Sequence, residues 1–119
     1  MFIIKQKQLD ALSKVRLDAF KKRLEEHLVK HFDEVINKLT KEQLEYFIAE
    51  GIKRAESYGL KTEYQITVYF NVMLTLGVDF EKNEEYEWAK DILEDDELQP
   101  DLKIEQLIEF TESEISDNE

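Results

Sequence analysis

Leu9, Leu12, Phe20, Leu24 and Leu28 recur at intervals of three, eight, four and four residues. On a helix that spacing draws one apolar stripe, so a first helix is predicted over residues 6–32. A second stripe, Leu44, Phe47, Ile48, Ile52 and Ala55, predicts a helix over 41–57. Thr40 and Gln43 stand at its start as a capping box, in which each side chain satisfies a free N–H of the first turn. Gly59 suits the left-handed residue that closes it. Gly51 falls inside this helix, where glycine costs about 1 kcal/mol relative to alanine, so a close helix–helix approach is expected there.

Thr62 and Gln65 repeat the capping box and open a third helix, predicted over 63–76 and closed by Gly77. Its segment "ITVYFNVML" is apolar nearly all round, the mark of a central, buried helix. A fourth helix is predicted over 84–94, beginning near Asn83, with Trp88, Ala89, Ile92 and Leu93 turned inward. Pro100 fits the first turn of a fifth helix over 100–115, where its missing N–H costs nothing. Ile104, Leu107, Ile108 and Ile115 are its expected core stripe. The expected fold is all-α: a single compact domain of about five helices over residues 1–119, with a central apolar helix and a frayed acidic tail over 115–119.

Composition agrees with that pattern. Apolar residues make up 42% of the chain and thirteen residues are aromatic, enough to fill a core despite 37% charge. There is no cysteine, which removes disulfides, thiolate metal sites and thiol nucleophiles. The opening "MFIIKQKQ" is too short for a signal-peptide core and no run is long enough to span a bilayer, so a cytoplasmic location is expected.

Charge sharpens the picture. The net charge is −12, but residues 1–78 carry a net +2 and residues 79–119 a net −14. A surface so negative repels phosphate backbones and anionic headgroups, which argues against nucleic acid and membrane and for a basic protein partner.

The acids of "DFEKNEEYEWAKDILEDDE", residues 79–97, invite a calcium reading. Counted from Asp79, Glu81 and Asn83 stand at ligand positions of an EF-hand loop. Glu84 occupies the place that needs glycine, however, and Lys90 the place of the closing glutamate. These acids read instead as a solvated helix face. His27 and His31, four apart on one helix face, are half of a zinc site, but Leu28 stands where a zincin needs glutamate and no cysteine completes the shell. A metal-dependent enzyme using His27 and His31 is a remote alternative. The chain has no glycine-rich phosphate loop and no nucleophile elbow, so neither catalysis nor a cofactor is expected.

Binding is the remaining class. On the fifth helix Glu105, Glu109 and Glu112 form an acidic line off the core stripe. Leu102 and Phe110, eight residues apart, lie away from Ile104 and Ile108. An apolar strip rimmed by glutamates suits a docking surface for a basic segment, with Leu102, Glu105, Glu109, Phe110 and Glu112 as candidate contacts. Isolated exposed apolar residues are also common on ordinary surfaces, and self-association into a homo-oligomer is a further use of the same strip.

Arg54, Ala55, Tyr58 and Gly59; Tyr69, Leu76, Gly77 and Phe80; and Trp88, Ala89, Ile92 and Leu93 together spell YG, LGxxF and WAxxIL elements. With the amino-terminal helix, they resemble a small all-helical bacterial family encoded near type VI secretion spike, PAAR and effector genes. The resemblance implies a non-enzymatic accessory protein, an adaptor or chaperone that binds a basic effector, toxin or secretion component. An immunity protein that neutralises a cognate toxin is the alternative.

Overall fold

A computed structural model describes the backbone of residues 6–117 and the side chains of residues 16–116. The described residues form six α-helices: α1 (Gln6–His31), α2 (Asp33–Ile36), α3 (Lys41–Ser57), α4 (Glu63–Leu76), α5 (Glu87–Leu93) and α6 (Pro100–Asp117). Two 3-10 turns, Phe80–Lys82 and Glu84–Tyr86, join α4 to α5, and no strand occurs among the described residues. The fold is all-α, as the periodicity predicts. Contacts divide the chain into two units, residues 1–48 and 49–119, with the boundary inside α3.

In the first unit α1 buries Phe20, Leu24 and Leu28, the four-residue stripe read from the sequence. Ile36 of α2 and Leu44 and Ile48 of α3 are buried as well. Leu9 and Leu12, the beginning of the stripe, lie outside the residues whose side chains are described. α2 is a single turn that the sequence pattern did not announce. The capping box before α3 forms as expected: Gln43 N–H donates to Thr40 Oγ1 at 3.1 Å and Thr40 N–H to Gln43 Oε1 at 2.9 Å.

In the second unit α4 carries the densest burial, with Gln65, Ile66, Val68, Tyr69, Phe70, Val72 and Met73 all enclosed. Thr62 caps it, and Gln65 does more than complete the box. Its Oε1 accepts from Lys61 N–H at 2.9 Å and Thr62 N–H at 3.2 Å, while its Nε2 donates to Asp101 Oδ1 of α6 at 2.7 Å. That last bond ties the amino-terminal ends of α4 and α6 together. Gly51 explains itself: a Cβ there would lie 2.8 Å from Phe70 Cε2 and closer still to Cζ, so only glycine lets this ring lie against α3. Gly59, at φ 85°, takes the left-handed position after α3.

Three expectations need correction. The fourth helix is shorter than predicted, because Asn83 Oδ1 accepts from Glu85 N–H at 2.9 Å and sets a 3-10 turn before α5 begins at Glu87. Ile115 is 44% exposed rather than core. α6 continues to Asp117, two residues beyond its predicted end, and residues 118–119 lie outside the described ones.

Candidate functional site

α5 is seven residues long and buries Ala89, Ile92 and Leu93. Trp88, expected to turn inward with them, is only partly buried. It stacks on Phe110 of α6, with ring centroids 5.2 Å apart and planes inclined by 25°. Tyr86 meets the Trp88 ring edge-on at 6.2 Å. An edge and an offset face give each ring a favourable quadrupole contact, about 0.5–1.5 kcal/mol for a pair beyond the area it covers. Phe110 remains 43% exposed, so the stack presents its outer surface to solvent.

All five residues singled out on α6 are at the surface. Leu102 is 45% exposed, and Glu105, Glu109 and Glu112 are exposed with it. A 3.6-residue period spreads them: Glu105, Glu109 and Glu112 share one face, Leu102 borders it, and Phe110 sits at the margin of the buried stripe, where Trp88 reaches it. Among the described residues no ion pair engages Glu87, Asp91, Glu105, Glu109, Glu112 or Glu114. The uncompensated negative field of the sequence is therefore a property of this surface.

Beneath it lies a different arrangement. Glu81, read from the sequence as part of a solvated acidic face, is buried at 6% exposure. Its Oε1 pairs with Arg54 Nη2, and its Oε2 accepts from the Tyr69 hydroxyl at 2.7 Å. Arg54 Nη2 also donates to Val78 O at 2.9 Å, fastening the segment after α4 against α3. Burial pushes the Tyr69 phenol well above its ordinary range, against the opposing pull of Arg54, so Tyr69 stays a neutral donor. The charges are paired and bonded, as buried charges must be. They hold the segment after α4 to α3.

A cleft of about 450 Å³ opens elsewhere, between the end of α3 and the α5–α6 connection, with Glu94, Asp96 and Lys103 in its lining. Lys103 is 5% exposed, and its ammonium donates to Tyr58 O at 3.0 Å and Leu93 O at 2.8 Å. Those carbonyls end α3 and α5, where a helix carries partial negative charge, so the lysine closes two helix ends at once. Burial raises the Tyr58 phenol, Arg54 works against this, and Glu94 adds to it.

His27 and His31 face each other with centroids 4.6 Å apart. No group of three or more His, Cys, Asp or Glu among the described residues is placed to hold a metal ion. No described helix is long and apolar enough to cross a membrane.

Sequence reasoning missed Trp88 as a surface residue, along with Glu81 and Lys103 as buried ones. Lys103 left a signal: it precedes Ile104 and lies four before Leu107, inside the stripe it shares. Glu81 left none. No family model matches the chain, nor does any curated protein or solved structure. The resemblance in the YG, LGxxF and WAxxIL elements rests on those residues alone.

Proposed function

We propose that the protein is a non-enzymatic binding module whose acidic α5–α6 surface docks a basic protein. The observation that carries this reading is the Trp88–Phe110 stack, partly open to solvent on a pair of helices whose exposed glutamates no ion pair engages within the described residues. Interface centres are enriched in such aromatics, and a polar rim excludes water around them. A one-signed field speeds encounter with an oppositely charged partner. The resemblance supplies the partner class: a type VI secretion effector or its docking segment, with this chain as adaptor or chaperone.

The test is affinity capture from the native host with the wild-type chain and with a variant combining Phe110→Ala with Glu105→Gln, Glu109→Gln and Glu112→Gln. The wild type should retain a basic protein that high salt releases. The variant should lose it while melting normally. Equal capture by the variant would remove this surface from the function. Deleting the gene then separates adaptor from immunity protein: the first predicts failed secretion of the partner, the second death of the cell that makes it.

A further inference from the structure

The last arginine of the chain is Arg54. Residues 79–119 hold only Lys82, Lys90 and Lys103 as cations, and Lys103 is buried against two carbonyls. The acidic half therefore presents two stacked, partly exposed aromatic rings with no guanidinium of its own to cover them. Inside the same unit a carboxylate already holds a guanidinium: Arg54 lies between Glu81 and the carbonyl of Val78, with the Tyr69 hydroxyl on the same carboxylate.

We infer that the Trp88–Phe110 stack is a seat for an arginine side chain of the docked partner. This rests on the protein-binding reading above and deepens it. A guanidinium is planar, stays charged and is weakly hydrated, so it stacks on an aromatic face more readily than an ammonium does. The negative face of an indole or phenyl ring attracts it, and tryptophan does so best. Carboxylates stand one helical turn beyond each ring: Asp91 is three residues after Trp88, and Glu114 four after Phe110. A guanidinium on the stack is thus within a turn of acids able to take its N–H groups. Charge complementarity selects a basic segment over a second copy of this chain, whose own α5–α6 surface is equally negative.

Trp88 is the chain's single tryptophan, so its fluorescence reports the seat directly. The probes are three blocked twelve-residue peptides of one sequence, carrying four arginines, four lysines or four citrullines among alanines and leucines. They are titrated into the full chain at low salt. The arginine peptide should change Trp88 emission saturably and bind more tightly than the equally charged lysine peptide. The citrulline peptide should bind least. Phe110→Leu keeps an apolar side chain of similar size but removes the π face. It should weaken the arginine peptide by roughly fivefold and the lysine peptide by less, while the melting temperature falls only by the few degrees that loss of the Trp88–Phe110 ring contact accounts for. Equal affinity for arginine and lysine peptides, or arginine binding that leaves Trp88 emission unchanged, would overturn the seat while leaving charge-driven docking intact. Should the charged peptides bind no better than the citrulline peptide, and the partner captured from the host be indifferent to salt, the docking reading itself fails.

Discussion

Two regions of the second unit use the same side chains to opposite ends. In the interior, Glu81 and Tyr69 meet Arg54, and the carboxylate and the guanidinium are each other's counterpart within the fold. On the surface, Trp88 and Phe110 stand among acids with no ion pair from the described residues. The interior network costs desolvation and recovers it only by complete pairing. The exposed acids are solvated, cost little to keep, and leave their attraction for a cation from outside. A carboxylate beside an aromatic ring is thus a fastening where the chain supplies the arginine, and a binding surface where it does not.

The contrast breaks most visibly at Arg54. Arg54→Ala removes the cationic partner of buried Glu81 and leaves it only the Tyr69 hydroxyl, and stability should fall by about 3–5 kcal/mol, read by denaturant unfolding. Tyr69→Phe removes the other partner of Glu81 and should cost about 1–3 kcal/mol.

Tyr69 also sets an alkaline limit. Its folded pKa is raised, so the unfolded chain loses the phenolic proton first, from about pH 10, while the folded chain keeps it. Its contribution is complete below that pH and declines as pH rises through the folded value. The melting temperature should therefore drop more steeply above about pH 10 in the wild type than in Tyr69→Phe.

The surface should behave otherwise. The triple change Glu105→Gln, Glu109→Gln and Glu112→Gln should alter stability by about 0.5 kcal/mol or less per site, in the stabilising direction at low salt because it relieves mutual repulsion. Salt should raise the wild-type melting temperature through the same screening, with a flatter response in the variant. A large loss of stability in the triple variant would mean that these acids are fold components after all.

Much of this fold could be read locally. Thr40 with Gln43 and Thr62 with Gln65 form the capping boxes their spacing announces, and Gly51 marks the approach of Phe70. These signals lie within a few residues of the structure they specify, or reflect a steric need only glycine meets. The pairing of Arg54 with Glu81 spans 27 positions and obeys no period, so Glu81 reads as one more acid in an acidic run. Trp88 was misread for another reason. The helical period places it beside Ala89 and Ile92, yet α5 has only seven residues and starts after a 3-10 turn, so its second position already lies at the rim. Ile115 shows the same limit at the other end: periodicity runs on past the point where α6 has neighbours to cover it.

The most direct measurement is a double-mutant cycle between Phe110 and a single arginine of the basic segment, using Phe110→Leu on this chain and Arg→Lys on the peptide, with affinities read from Trp88 emission. A guanidinium seated on the stack predicts that the two changes are not additive, with a coupling of about 0.5–1 kcal/mol at an exposed site, and that only one of the peptide's arginines shows it. Strict additivity at every arginine would contradict the account, leaving an acidic surface that attracts basic chains without a seat for any of their side chains.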